Sequence, residues 1–105
     1  MCGRFVLDAD IRALAERYQA VVGSDAAGSS AMRPRYNIAP STPVVAVAPG
    51  AAGGRRLGAL RWGLRLKWRP AAPIINVRRE SVQEKPYFRR LLVRRRLIVP
   101  ATGFY

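Results

Sequence analysis

Residues 43–64, PVVAVAPGAAGGRRLGALRWGL, contain two apolar runs on either side of a Gly/Ala connector. PVVAVAP (43–49) and RRLGALRWGL (55–64) are rich in Val and Leu, and GAAGG (50–54) between them has no side chain large enough to pack. Two such runs, bounded by Gly and Pro, predict an antiparallel hairpin with a long tip. Upstream, GRFVL (3–7) reads as a short opening strand. DADIRALAERYQAVV (8–22) reads as a helix with Asp8 as N-cap, because Ile11, Leu14, Ala15, Tyr18, Val21 and Val22 recur at helical spacing and Gly23 stops it. GSDAAGSSAMRPR reads as a flexible surface loop, and YNIAPST as a turn-rich stretch in which Asn37 shapes an Asx-type turn.

Downstream, RLKWRPAAP (65–73) is expected to be a loop held by two prolines, and IINV (74–77) a short buried strand. RRESVQEK allows a turn or two of helix, and Pro86 suits the first position of a second helix, PYFRRLLV. RRRLIVPA (94–101) reads as a strand. With no βαβ pattern and no Gly-rich phosphate loop after a strand, the pattern predicts one small α+β domain over 1–105, mainly antiparallel with short helices.

The net charge is +13, with 17 Arg, 2 Lys and no His. Residues 1–54 carry five Arg and four acids (net +1), whereas residues 55–105 carry twelve Arg, two Lys and two acids (net +12). A block this basic calls for a polyanion or a well-solvated face, and for a small intracellular chain it points to nucleic acid. One Cys and no His exclude a His-based catalytic centre within the chain and a soft metal site; no metal or cofactor is expected. A lone Cys suits a reducing compartment. Neither a signal peptide nor an apolar run of about 18 residues is found, so a cytoplasmic chain without a membrane partner is expected, as a monomer.

The single cysteine is Cys2, directly behind Met1. Removal of Met1 would leave an α-amine and a thiol on adjacent carbons. Their reference pKa values, about 7.7–8.0 and 8.5, leave both partly unprotonated near neutral pH. Such a pair condenses with an aldehyde to an imine and closes to a thiazolidine. It could also attack an amide carbonyl, with the amine as base. A small residue at position 2 would equally serve only to assist Met removal.

MCGRF at the start, RYNIAPST at 35–42, RWGL at 61–64, INVRRES at 75–81 and LIVPATGFY at 97–105 occur in this order. Together they resemble the SOS response-associated peptidase (SRAP) family over essentially the whole chain, apart from the variable loops at 23–34 and 49–56. The resemblance implies recognition of abasic sites in single-stranded DNA and a thiazolidine crosslink through the terminal cysteine. It implies Cys2 as nucleophile and Asn76 as the residue positioning the amine or the opened sugar. Arg4 and Arg78 are implied at the DNA backbone, where a guanidinium fork bonds two phosphate oxygens. Pro40 and Trp68 are implied against bases beside the lesion, where an aromatic face suits any base. Glu80 fits the same motif without an assigned role.

Bland readings stand beside these. Asn76 fits a strand end that satisfies loop backbone, Trp62 fits the core, and Arg94–Arg96 fit a solvated segment. In family members GFY is followed by Glu-Trp and later by a His, both active-site groups. The chain is therefore expected to be the N-terminal part of the domain, with its last segment an unpaired strand edge. The rival function classes are an N-terminal-nucleophile peptidase or amidohydrolase, and a non-catalytic basic nucleic-acid-binding module.

Overall fold

A computed structural model of the chain describes residues 2–105. The fold is α+β, with eight short strands in three small sheets and three helices. The first sheet has the order β3-β1-β8, built from β1 (Phe5–Leu7), β3 (Arg35–Ile38) and β8 (Gly103–Phe104). The second has the order β2-β5-β4, built from β2 (Ala20–Val22), β4 (Pro43–Pro49) and β5 (Arg55–Arg61). The third is the hairpin of β6 (Leu64–Leu66) and β7 (Arg69–Ile74).

Residues 43–61 form the expected hairpin, in unbroken antiparallel register from Pro43↔Arg61 to Pro49↔Arg55, but its second strand ends at Arg61, before Trp62 and Gly63, and Leu64 opens β6 of the third sheet. Val44 to Val47 are all buried. Both faces of β4 are therefore covered, and its sequence lacks the polar alternation of a half-wet strand. The core gathers Leu7, Ile38, Val45 and Leu57 from the strands with Leu14 from α1 (Ile11–Arg17).

Several sequence expectations are corrected. Helix α1 is capped by Asp10, whose carboxylate accepts from the Ala13 N–H at 3.3 Å; the backbone N–H of Asp8 instead donates to Thr102 Oγ1 at 2.9 Å. The helix stops at Arg17, and Gln19 takes a positive φ of 50°. Ala20–Val22 then run as a strand parallel to Arg55–Leu57, leaving Val21 75% exposed. The expected loop at 23–35 instead contains two 3-10 turns, Ser24–Ala26 and Ser30–Met32, which bury Ala26 and Ala31.

The expected loop at 65–73 is mostly β6 and β7. Pro70 and Pro73 are tolerated because β7 is an edge strand. The expected strand at 74–77 gives only its first residue to β7, and Ile75 and Val77 are partly exposed. Both downstream helices form: α2 (Arg79–Glu84) and α3 (Pro86–Arg94), with Pro86 in the first turn. The expected strand at 94–101 reduces to a bridge between Ile98 and Val47, because α3 takes Arg94 and Pro100 cannot donate to a ladder. The final segment keeps only Gly103–Phe104 as a strand, β8, which pairs with β1 on one side and leaves its other side as the open edge of the sheet, as expected. Among the described residues no helix is long and apolar enough to cross a membrane.

Candidate active site

Cys2 lies just upstream of β1, the central strand of its sheet, with its thiol free and exposed. Asn76 comes from the segment linking β7 to α2. Its amide Nδ2 donates to the Cys2 carbonyl at 2.9 Å, across 74 positions of sequence. The contact pins Cys2 and leaves Asn76 Oδ1 as an acceptor for a second donor.

Trp62 sets this arrangement. Its ring packs on Phe5 with centroids 5.5 Å apart, and its Nε1 donates to the Ile75 carbonyl at 3.4 Å. One side chain thus ties the start of β1 to the residue before Asn76. Gly63, at φ 125°, lets the backbone approach Pro73 closely: a Cβ there would stand 2.8 Å from Pro73 Cβ. The indole is half-buried against the core, as its strand position suggested, but it is also a wall of the site.

Cys2 and Asn76 stand at a cavity of about 430 Å³ whose walls are mainly apolar and include Phe5, Trp62, Ile75 and Phe104. The lining contains no carboxylate and no imidazole among the described residues. No group of His, Cys, Asp or Glu among those residues could hold a metal ion.

The other sequence-predicted residues lie outside the cavity wall. Arg4 donates through Nη1 to Asn37 Oδ1 at 2.9 Å. Asn37 is a β3 residue and a partner for Arg4, which corrects its reading as a turn former. The signal was its position next to buried Ile38: a strand places Asn37 on the outer face. Pro40 is half-buried in the β3–β4 turn, which two backbone bonds hold to Trp62: Ser41 N–H to the Trp62 carbonyl at 2.8 Å and Trp62 N–H to the Thr42 carbonyl at 3.0 Å.

Arg78 is exposed at the N-cap of α2 and makes no side-chain capping bond, while Glu80 sits in the first turn, where a negative charge complements the helix dipole. Trp68, 68% exposed at the β6–β7 tip, meets Tyr87 of α3 edge-on at 5.0 Å. Tyr87 was not anticipated from sequence, because only the fold brings the hairpin tip to α3. A hydrogen bond to Asp8 and then the Asp8 charge raise the exposed Tyr36 phenol above its ordinary value.

The whole length, residues 1–105, matches the model of the SOS response associated peptidase (SRAP) family. The chain belongs to the SRAP family. Curated relatives include the abasic site processing protein YoaM of Bacillus subtilis, 38% identical over 109 residues, and YoqW of Bacillus subtilis and Bacillus phage SPbeta, 37% identical. In each case all of this chain is aligned, but only 46–47% of the relative. The chain thus spans about half the length of the curated SRAP relatives it matches. No solved structure matches it.

Proposed function

We propose that this SRAP chain senses abasic sites in single-stranded DNA and bonds to them covalently through Cys2. The observation that carries the reading is the Asn76–Cys2 hydrogen bond, which holds Cys2 at the mouth of a cavity. The names of the relatives and the +12 charge of residues 55–105 support a damaged nucleic acid as substrate.

Removal of Met1, which lies outside the described residues, frees the α-amine. The amine attacks the aldehyde carbon of the ring-opened abasic sugar, and water leaves as the imine forms. The Cys2 thiolate then adds to the imine carbon and the nitrogen takes a proton, closing a five-membered thiazolidine. The net change is one C–N and one C–S bond made for one water lost. Asn76 positions Cys2, and its Oδ1 accepts from the amine or a sugar hydroxyl. Arg4 and Arg78 bind flanking phosphates, while Pro40 and Trp68 pack on the neighbouring bases.

Proximity supplies much of the rate in such a step. General acid–base groups, worth typically 10²–10⁴-fold, are not among the described cavity residues. The chain is therefore expected to crosslink an oligonucleotide bearing one abasic site more slowly than an intact domain would, as read on a denaturing gel. Cys2→Ala is expected to abolish the heat-stable adduct, and Asn76→Ala to slow its formation. An adduct that survives Cys2→Ala, or intact mass showing Met1 retained in active protein, overturns the reading.

A further inference from the structure

Helix α3 has no buried residue, and its two faces differ sharply. Tyr87, Phe88 and Leu91 are half-buried, whereas Arg89, Arg90, Leu92, Val93 and Arg94 are exposed, and Arg95 and Arg96 extend the exposed run. At 100° per residue, Arg89, Arg90 and Arg94 fall on one face, within about 7.5 Å of helix axis. Arg90 and Arg94 stand four apart, a like-charge spacing that weakens an isolated helix by a few tenths of a kcal/mol. Nothing in the fold relieves it: the only ion pair among the described residues joins Arg56 to Asp25, and Glu80 and Glu84 of the neighbouring α2 reach none of these arginines.

We propose that this face of α3 is a second, sequence-independent binding surface for the phosphate backbone of single-stranded nucleic acid, separate from the Cys2 cavity. The guanidinium fork suits phosphate oxygens. The surface also continues from an exposed aromatic, since Tyr87 meets Trp68 edge-on. A strand whose bases rest at Trp68 therefore has its next phosphates beside the arginines. An acidic lipid surface fits less well: a helix lying on a membrane buries a wide apolar face, and here the exposed side has only Leu92 and Val93 among Arg89, Arg90 and Arg94.

The test uses the full chain and an undamaged single-stranded oligonucleotide. No aldehyde is present, so failure of the Cys2 chemistry leaves the result readable. Arg89→Gln/Arg90→Gln/Arg94→Gln is expected to lower the slope of log affinity against log salt by about 2, at roughly 0.7 for each phosphate released. Gln keeps the helix propensity. Arg12→Gln/Arg17→Gln/Arg33→Gln removes the same charge from the other half and is expected to leave the slope unchanged. Equal falls for both triples would mean diffuse attraction by net charge, and no fall for the α3 triple would mean no site; either overturns the proposal. So does an α3 triple that loses binding to phosphatidylserine vesicles while keeping its oligonucleotide slope. On the unaltered chain, the oligonucleotide is expected to protect the amides of residues 87–96 from hydrogen exchange. Unchanged exchange there overturns the proposal independently of how the variants fold.

Discussion

Gly63 fixes the spacing on which the Cys2–Asn76 contact depends. Its φ of 125° disfavours any L side chain, and a methyl group would meet Pro73 at 2.8 Å. Gly63→Ala is expected to cost of order 1–3 kcal/mol in a denaturant melt. It should also slow adduct formation, because the displaced β7 end carries Ile75 and Asn76 with it. A variant with unchanged stability and crosslinking rate would show that the close approach is dispensable. Cys2, Asn76 and the arginines could be proposed as candidates from sequence because each belongs to a side-chain chemistry or a short motif. The partnership of Arg4 with Asn37, and the double duty of Trp62, could not: each depends on residues 33 and 13 positions away.

Periodicity reported the elements accurately where neighbours along the chain decide them, as in the 43–61 hairpin and the Pro86 start of α3. It failed where a distant partner decides. Tyr18, Val21 and Val22 continue the spacing of α1, yet Ala20–Val22 gain more by pairing with Arg55–Leu57, a partner invisible to a local window. The sequence reading put the cap of α1 at Asp8, but the capping bond from Ala13 goes to Asp10. Asp10→Ala is expected to destabilise the domain by about 1 kcal/mol in thermal or chemical melts. Asp8→Ala should cost less, since the Thr102 contact of Asp8 uses its backbone. A larger loss for Asp8→Ala would reverse the assignment.

At the scale of the molecule, the core is small and gathers around β4 and Leu57 of β5. Leu57 is fully buried among strands from two sheets and α1. Leu57→Ala is expected to cost about 2–5 kcal/mol, a large part of the roughly 5–15 kcal/mol that holds a domain together. Loss of the cooperative transition would be the calorimetric readout, and a change below about 1 kcal/mol would place the core elsewhere. The charge asymmetry and the α+β class were legible in the sequence; the division into three sheets was not, because β1 takes its partners from residues 35–38 and 103–104. That topology also sets a timetable. Strand β1 leaves the ribosome among the first residues, but its neighbour β8 follows 98 residues later, an interval of roughly 5–20 s at ordinary rates of synthesis. Through that interval β1 lacks its β8 neighbour, so the sheet beside Cys2 closes only once residues 103–104 have emerged.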